Sequence, residues 1–300
     1  MRRGPDRRSS RLLAVAIAGL TGLLAPGCAS PGRAGGPGAS HVAYQKSAEP
    51  EHSRLTTGGG SRRSGSAASA DGNSSRAKPL AGKIVGIDPG HNGRNGTDPA
   101  YLTHQVFNGR TMEDCNTTGT QTAAGYTESL FNFNVAMYLA ADLRRDGARV
   151  VLTRRNNHGI GPCVDKRSTM LNHTNVAIDI HADGGPTWGR GFTVLEPVAD
   201  GPNNKIIASS VRFGRYVHDA LLADTPMRVS DYYGRDGYQF RNDLAGLNLT
   251  TVPKVLIECG NMPNPRDAAL LSSPSDQRKI ARALEAAIIR FLTGKWPRHH

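Results

Sequence analysis

From Lys83 onward the chain repeats one pattern: a short apolar run, a turn, then a longer stretch with apolar residues at helical spacing. Lys83–Asp88 (KIVGID) is β-branched and ends at Pro89-Gly90, which predicts a buried strand and a turn. Glu128–Arg145 carries apolar residues at Leu130, Phe133, Ala136 or Met137, Leu139 or Ala140 and Leu143, and stops at Gly147, which predicts a helix. The same reasoning predicts strands over Arg149–Arg154, Val176–His181, Gly191–Glu196 and Pro253–Cys259. It predicts helices over Asp165–His173, Asn203–Ala223 and Gln277–Leu292, and no internal repeat is visible. Apolar strands alternating with helices imply an α/β architecture. The expectation is a single three-layer domain over 80–297, with a twisted, mostly parallel sheet and helices on both faces.

In such sheets ligands bind beyond the carboxyl ends of the strands. Asp88-Pro-Gly-His91, Ile180-His181-Ala-Asp183 and Ile257-Glu258-Cys-Gly260 each place polar residues at the end of an apolar run. Two histidines with carboxylates are the ingredients of a catalytic zinc site, in which three protein ligands leave a fourth position for water. His91 and His181 supply two nitrogen donors, and Glu128, which opens the first helix, is the candidate third ligand. Zinc lowers the pKa of such a water towards ~7. Glu258 is the candidate base that takes the water's proton and passes it to the leaving nitrogen. Each residue also has a plain structural role open to it. A histidine after a strand often hydrogen-bonds a turn, and Glu128 complements the helix macrodipole. Glu258 is harder to explain this way, because a charge after Val255-Leu256-Ile257 lies near the core, where an unpaired carboxylate is costly.

The segments IDPGHNG (87–93), ESLFN (128–132), LTR (152–154), IDIHADGG (178–185) and VLIECGNMPNPRDAALL (255–271) fall in order across nearly the whole folded body. Together they resemble the zinc-dependent N-acetylmuramoyl-L-alanine amidases of the Amidase_3 type, the single-domain mycobacterial members in particular. The resemblance implies a phosphorylase/hydrolase-like fold, one zinc per chain, and hydrolysis of the amide between N-acetylmuramic acid and L-alanine in peptidoglycan. Carried over residue by residue, it implies metal binding by His91, Glu128 and His181 and the catalytic role of Glu258. Asp179 stands where the family more often has Ser, and Cys259 where an apolar residue usually follows the glutamate. Cys115 and Cys163 sit in loop contexts; an oxidising compartment and the mycobacterial resemblance both imply a disulfide between them. Cys259 reads as a buried small residue, and a zinc site built from the cysteines is the competing reading. A zinc carboxypeptidase or endopeptidase acting on the stem peptide shares the same metal chemistry, and a wall-binding module with a vestigial site is the non-enzymatic alternative. Arg154 and Arg167 are open to two roles, contact with stem-peptide carboxylates or ion pairing at the edge of the core.

Charge changes this picture little. Residues 1–79 hold 12 Lys/Arg against 4 Asp/Glu, whereas the rest holds 25 against 21, so most of the +12 lies outside the folded body. Aromatic residues make up 6% of the chain and no basic stripe interleaves with them, which argues against nucleic-acid binding. Residues 1–27 read as a signal peptide, with Arg2, Arg3, Arg7, Arg8 and Arg11 before the apolar run Leu12–Leu24. Arg7-Arg8 leaves twin-arginine export open. Leu24-Ala-Pro-Gly-Cys28 resembles a lipobox with its leucine displaced by one position, so Cys28 is either a lipid anchor or lost with the signal. Residues 28–79 are rich in Gly, Ser, Ala and Pro and read as a disordered tether, with an r.m.s. reach of roughly 40 Å. An exported monomer in the cell wall or the space beneath it is the expectation, with peptidoglycan as its partner.

Overall fold

The computed structural model describes residues 78–297, so the predicted signal peptide, Cys28 and nearly all of the predicted tether lie outside the described residues. The described elements are β1 (Ile84–Pro89), α1 (Pro99–Thr103), β2 (Gln105–Phe107), β3 (Met112–Asp114), α2 (Glu128–Arg145), β4 (Arg149–Leu152), α3 (Val164–Met170) and β5 (Val176–Asp183). They continue with β6 (Thr193–Pro197), α4 (Ile207–Asp224), β7 (Tyr238–Arg241), α5 (Ala245–Asn248), β8 (Lys254–Asn261), α6 (Pro265–Ser272) and α7 (Pro274–Thr293). Six strands form one sheet in the order β4-β1-β5-β8-β6-β7. The first four run parallel; β6 joins β8 antiparallel, and β7 pairs parallel to β6 at the edge. A separate two-stranded hairpin, β2-β3, projects between α1 and α2.

The two faces are unequal. Val85, Ile87, Ile178, Ile180, Val194, Val255 and Ile257 point to one side and bury a continuous core under α2, α4 and α7. The alternate residues face a thinner layer made by α3 and α5, where Leu195, Leu247 and Leu256 form one small cluster and Leu171, Ala177 and Val252 another. Gly86 belongs to this thin side; a Cβ there would lie 3.1 Å from both Ala177 and Leu171, so glycine lets the α3 layer approach. The thin side also carries a buried ion pair, Lys254 Nζ to Asp179 Oδ1 at 2.9 Å. Burial pushes the Asp179 carboxyl up to about 7 against the opposing pull of Lys254. Asp179 thus pairs with a fully buried lysine.

The predicted apolar stripe of α2 needs correction. The structure turns Phe131, Val135, Leu139 and Leu143 toward the sheet and leaves Leu130 exposed. Phe133 is only half-buried and carries the Arg154 guanidinium 5.1 Å from its ring centre. The reason is that Glu128 and Asn132 must also face inward at the helix start, which rotates the buried face. Gly147, with φ +98°, ends this helix as expected, its N–H donating to the Arg144 carbonyl. The helix predicted over Asp165–His173 ends earlier, at Met170, in a turn where Leu171 and Thr174 close on their own backbone. The hairpin, β7 and the short helices α1, α5 and α6 had no counterpart in the apolar pattern.

Candidate functional site

The site lies at the carboxyl ends of β1, β5 and β8, where the α3–α5 layer stops. His91 follows β1 through the turn Pro89-Gly90 and adopts φ +56°, a left-handed conformation that costs a non-glycine residue about 1–3 kcal/mol. Two arginines hold that turn. Arg167 donates to the carbonyls of Pro89 (2.9 Å) and His91 (2.7 Å) and pairs with Asp88 at 2.8 Å. Arg154 donates to the carbonyls of Pro89 (2.8 Å) and Gly90 (3.1 Å) and to Ser129 on α2 (2.7 Å). Both side chains are spent on the fold, which gives them the core-edge role rather than that of a free carboxylate receptor. Gly90 is itself required, since a Cβ there would lie 2.2 Å from the His181 ring.

Glu128 opens α2 and stands between the two histidines. Its Oε1 lies 3.1 Å from His91 Nε2 and 2.9 Å from His181 Nδ1, and all three ligand atoms lie within 4.8 Å of one another. The carboxylate is further fixed by donors: Thr120 N–H to Oε2 (3.0 Å), and Ala182 N–H (3.2 Å) and Asn132 Nδ2 (3.3 Å) to Oε1. Burial alone would raise this carboxyl; the two imidazoles outweigh that and hold it well below its usual range. Burial depresses His181, whereas Glu128 overcomes burial at His91 and raises it. His91 Nδ1 lies 3.1 Å from the Thr117 carbonyl, which fixes Nδ1 as the protonated nitrogen. A neutral His91 then presents a lone pair at Nε2 to a carboxylate oxygen that also carries lone pairs. That contact requires a cation, either a proton or a metal ion. A donor set of two imidazoles and one carboxylate fits catalytic zinc.

Glu258 sits on β8 as the register partner of His181 on β5, so the two side chains project from the same face of adjacent strands. Its Oε2 is buried without a hydrogen-bond partner. Burial pushes this carboxyl well above its usual range, reinforced by the negative charges of Glu128 and Asp183 and opposed by Arg241. Asp183 accepts from the Tyr232 hydroxyl at 2.6 Å, and Gly185 and Gly189 pack so closely on that ring that a Cβ at either would clash.

The structure therefore gathers all four candidate residues of the sequence and adds Asn132, Thr117 and Tyr232, which the sequence pattern does not mark. Asn132 had a usable signal, a polar residue one turn after Glu128 on an apolar helix face. Thr117 had none, because it contributes a backbone carbonyl. Cys115 and Cys163 are joined as a disulfide, and Cys259 is a free, buried thiol in the main core. His104 lies 3.3 Å from Cys163 Sγ. With its two sulfurs bonded to each other, this group does not form the cysteine zinc site considered as an alternative.

Residues 85–290 match the Amidase_3 family, described as N-acetylmuramoyl-L-alanine amidase. The chain belongs to this family. As an Amidase_3 enzyme it is a hydrolase, an N-acetylmuramoyl-L-alanine amidase. It is 43% identical over 217 residues to an N-acetylmuramoyl-L-alanine amidase of Mycobacterium tuberculosis, covering 71% of this chain and 88% of that relative. The crystal structure of the amidase Ami1 from Mycobacterium smegmatis superimposes with a TM-score of 0.67 at 40% identity, covering 72% of this chain and 99% of that one. Ami1 from Mycobacterium abscessus gives the same TM-score at 38% identity, covering 71% and 100%. The single α/β domain with its mostly parallel sheet is thus the fold of this amidase and its neighbours.

Proposed function

We propose that this amidase is zinc-dependent, that His91, Glu128 and His181 hold the metal, and that Glu258 moves the proton during cleavage of the bond between N-acetylmuramic acid and L-alanine in the cell wall. The carrying observation is Glu258 Oε2, buried without a partner beside the three clustered ligand atoms. An orphaned buried carboxyl oxygen in a native site calls for a missing partner. Zinc held there supplies a Lewis acid for the lactyl carbonyl and lowers the pKa of a water at the site.

The remaining work falls to side chains of the chain itself. Thr117, through its carbonyl, and Glu128 orient the His91 ring. Glu258, raised by its surroundings, is suited to accept a proton from the attacking water and to return it to the L-alanine nitrogen as the C–N bond breaks. The lactyl carboxylate and a free L-alanine amine are the products, with the glycan left uncut. Export by the N-terminal segment, with or without a lipid on Cys28, would deliver the enzyme to that substrate; the stretch 28–79 would act as its tether and 80–297 as the catalytic body.

Mass spectrometry of products from a soluble muramyl peptide, with and without chelator, tests this reading. Intact stem peptides beginning with free L-alanine, absent after chelation, are the expected result. Shortened stems still attached to muramic acid would instead make the enzyme a peptidase.

A further inference from the structure

A second polar site lies on the opposite face of the sheet. Thr193 on β6 is the register partner of Glu258, and Glu196 lies three residues further on. That offset is about 10 Å along the strand. Because Val194 points into the main core, Glu196 also points to that side, toward α4. The residue is only 2% exposed, and its Oε1 is buried with no hydrogen-bond partner. A Cβ on Gly214 of α4 would lie 2.4 Å from that oxygen, so glycine at this position makes the room the carboxyl occupies. Burial pushes Glu196 up to about 7, with Arg215 as the opposing charge.

Glu196 lines a groove of about 780 Å³ between α4 and the edge strand β7, together with Val211, Arg215, Asp219, Tyr238 and Phe240. That volume falls in the range of small-ligand sites. Tyr238 is held in place by stacking on His218, with ring centres 4.6 Å apart. Phe240, the register partner of Glu196, is 58% exposed despite lying in a strand. The groove thus has an aromatic floor and a buried carboxyl without a donor, with the guanidinium of Arg215 on its wall and the exposed charges of Asp219, Arg235 and Asp236 at its rim.

We propose that this groove is a second peptide-binding site, which takes a segment bearing a primary ammonium group on Glu196, its aliphatic part over Tyr238 and Phe240, and a nearby carboxylate on Arg215. Glu196 Oε1 packs against Gly214, so an ammonium would meet the carboxyl group from the groove that Glu196 lines and supply the countercharge that makes a buried carboxylate tolerable. A metal ion fits less well, because Glu196 is the one buried carboxylate there and Asp219 and Asp236, both exposed, do not gather with it into a ligand cluster. The occupant in the wall is a stem peptide next to the one being cut, a source that rests on the amidase reading above. Holding it there would favour polymeric wall over isolated muramyl peptides.

The test uses the full chain in NMR titrations with a free stem tripeptide ending in a diamino acid, and with the same peptide after acetylation of its amines. Shifts of the Gly214, Gly237 and Phe240 amides report the groove, and those of Gly184 and Gly185 report the cleft. The groove amides should shift saturably with the amine-bearing peptide and not with the acetylated one. Glu196→Gln should weaken groove affinity by about tenfold, as a charge-assisted contact becomes a neutral one, while leaving the cleft shifts in place. Phe240→Ala, at an exposed position, should weaken it too and cannot fail by unfolding the core. Groove amides unmoved at millimolar peptide, or wild-type affinity in either variant, would overturn the proposal. Product analysis run in parallel separates the two readings: groove binding without amide hydrolysis would overturn the stem-peptide source and leave the amine site standing.

Discussion

Asn132 reaches back one turn of α2 to Glu128, placing its Nδ2 3.3 Å from the same Oε1 atom that both histidines face and 3.2 Å from the Gly90 carbonyl. One buried amide therefore ties the carboxylate to the turn that carries His91. Partners of this kind set the orientation of metal ligands and commonly change affinity by 10–100-fold. Asn132→Ala should lower zinc affinity by a factor in that range while the protein stays folded. Competition with a chromophoric chelator checks this, and unchanged affinity would remove Asn132 from the site.

The ligand assignment predicts about one zinc per chain in the purified protein. His91→Ala should lose it, because His91 Nε2 faces the Glu128 oxygen directly at 3.1 Å. Elemental analysis is the measurement. Full metal retention in both His91→Ala and His181→Ala would mean that the metal, if any, sits elsewhere.

Glu258→Gln keeps the shape of the side chain and cannot accept a proton. Since Glu258 lies beside the ligand cluster on β8 and is not one of its members, metal content should stay near wild type. Turnover should fall by roughly 10²-fold or more. A metal-loaded variant with near-normal turnover would hand the proton transfer to another group.

Arg167 and Asp88 form a buried pair beneath the site, 2.8 Å apart. Burial alone would raise the Asp88 carboxyl. The charges of Arg167 and Lys254, with hydrogen bonds from Thr153 and Arg167, outweigh it and bring the pKa down to about 2. A depressed carboxylate contributes stability above its unfolded pKa of about 4 and loses it as pH falls toward 2, an effect of about 2 kcal/mol. Arg167→Met should cost about 3–5 kcal/mol at neutral pH, because it strands the Asp88 charge in the interior. Urea unfolding at pH 7 measures this, and a loss below 1 kcal/mol would show that the site relaxes around the unpaired carboxylate.

The Cys115–Cys163 disulfide joins residues 48 positions apart. A loop of that length implies roughly 4 kcal/mol of stabilisation from restricting the unfolded chain. The bridge also braces the active site. Thr117, two residues after Cys115, supplies the carbonyl beside His91, and Cys163 caps the helix that carries Arg167. Replacing both cysteines by serine should therefore lower the melting temperature and weaken zinc binding modestly. Calorimetry and metal titration follow the two effects; a variant with wild-type thermal stability would contradict the first.

The sequence was informative where one residue's chemistry and a local period carried the message. The existence and order of β1, β5 and β8, the helix opened by Glu128 and the stop at Gly147 follow from hydrophobic spacing and turn chemistry, because backbone hydrogen bonding fixes those periods, although β5 and β8 run on two residues beyond the apolar pattern, to Asp183 and Asn261. His91, Glu128, His181 and Glu258 stood out as candidates because each is a polar residue next to an apolar run or at a helix start, and the family resemblance, not the spacing, supplied the roles proposed for them. Spacing could not show that their side chains converge, since that depends on which strands become neighbours. Strand pairing placed β5 beside β8, and so His181 beside Glu258. The antiparallel entry of β6, the edge strand β7 and the inward turn of Phe131 over Leu130 were likewise decided by packing, whose contacts join residues far apart in the chain. The roles of Thr117, Arg154 and Arg167 belong to this second group: backbone carbonyls and buried charges acquire partners only when distant segments meet, so the tertiary structure alone assigned them.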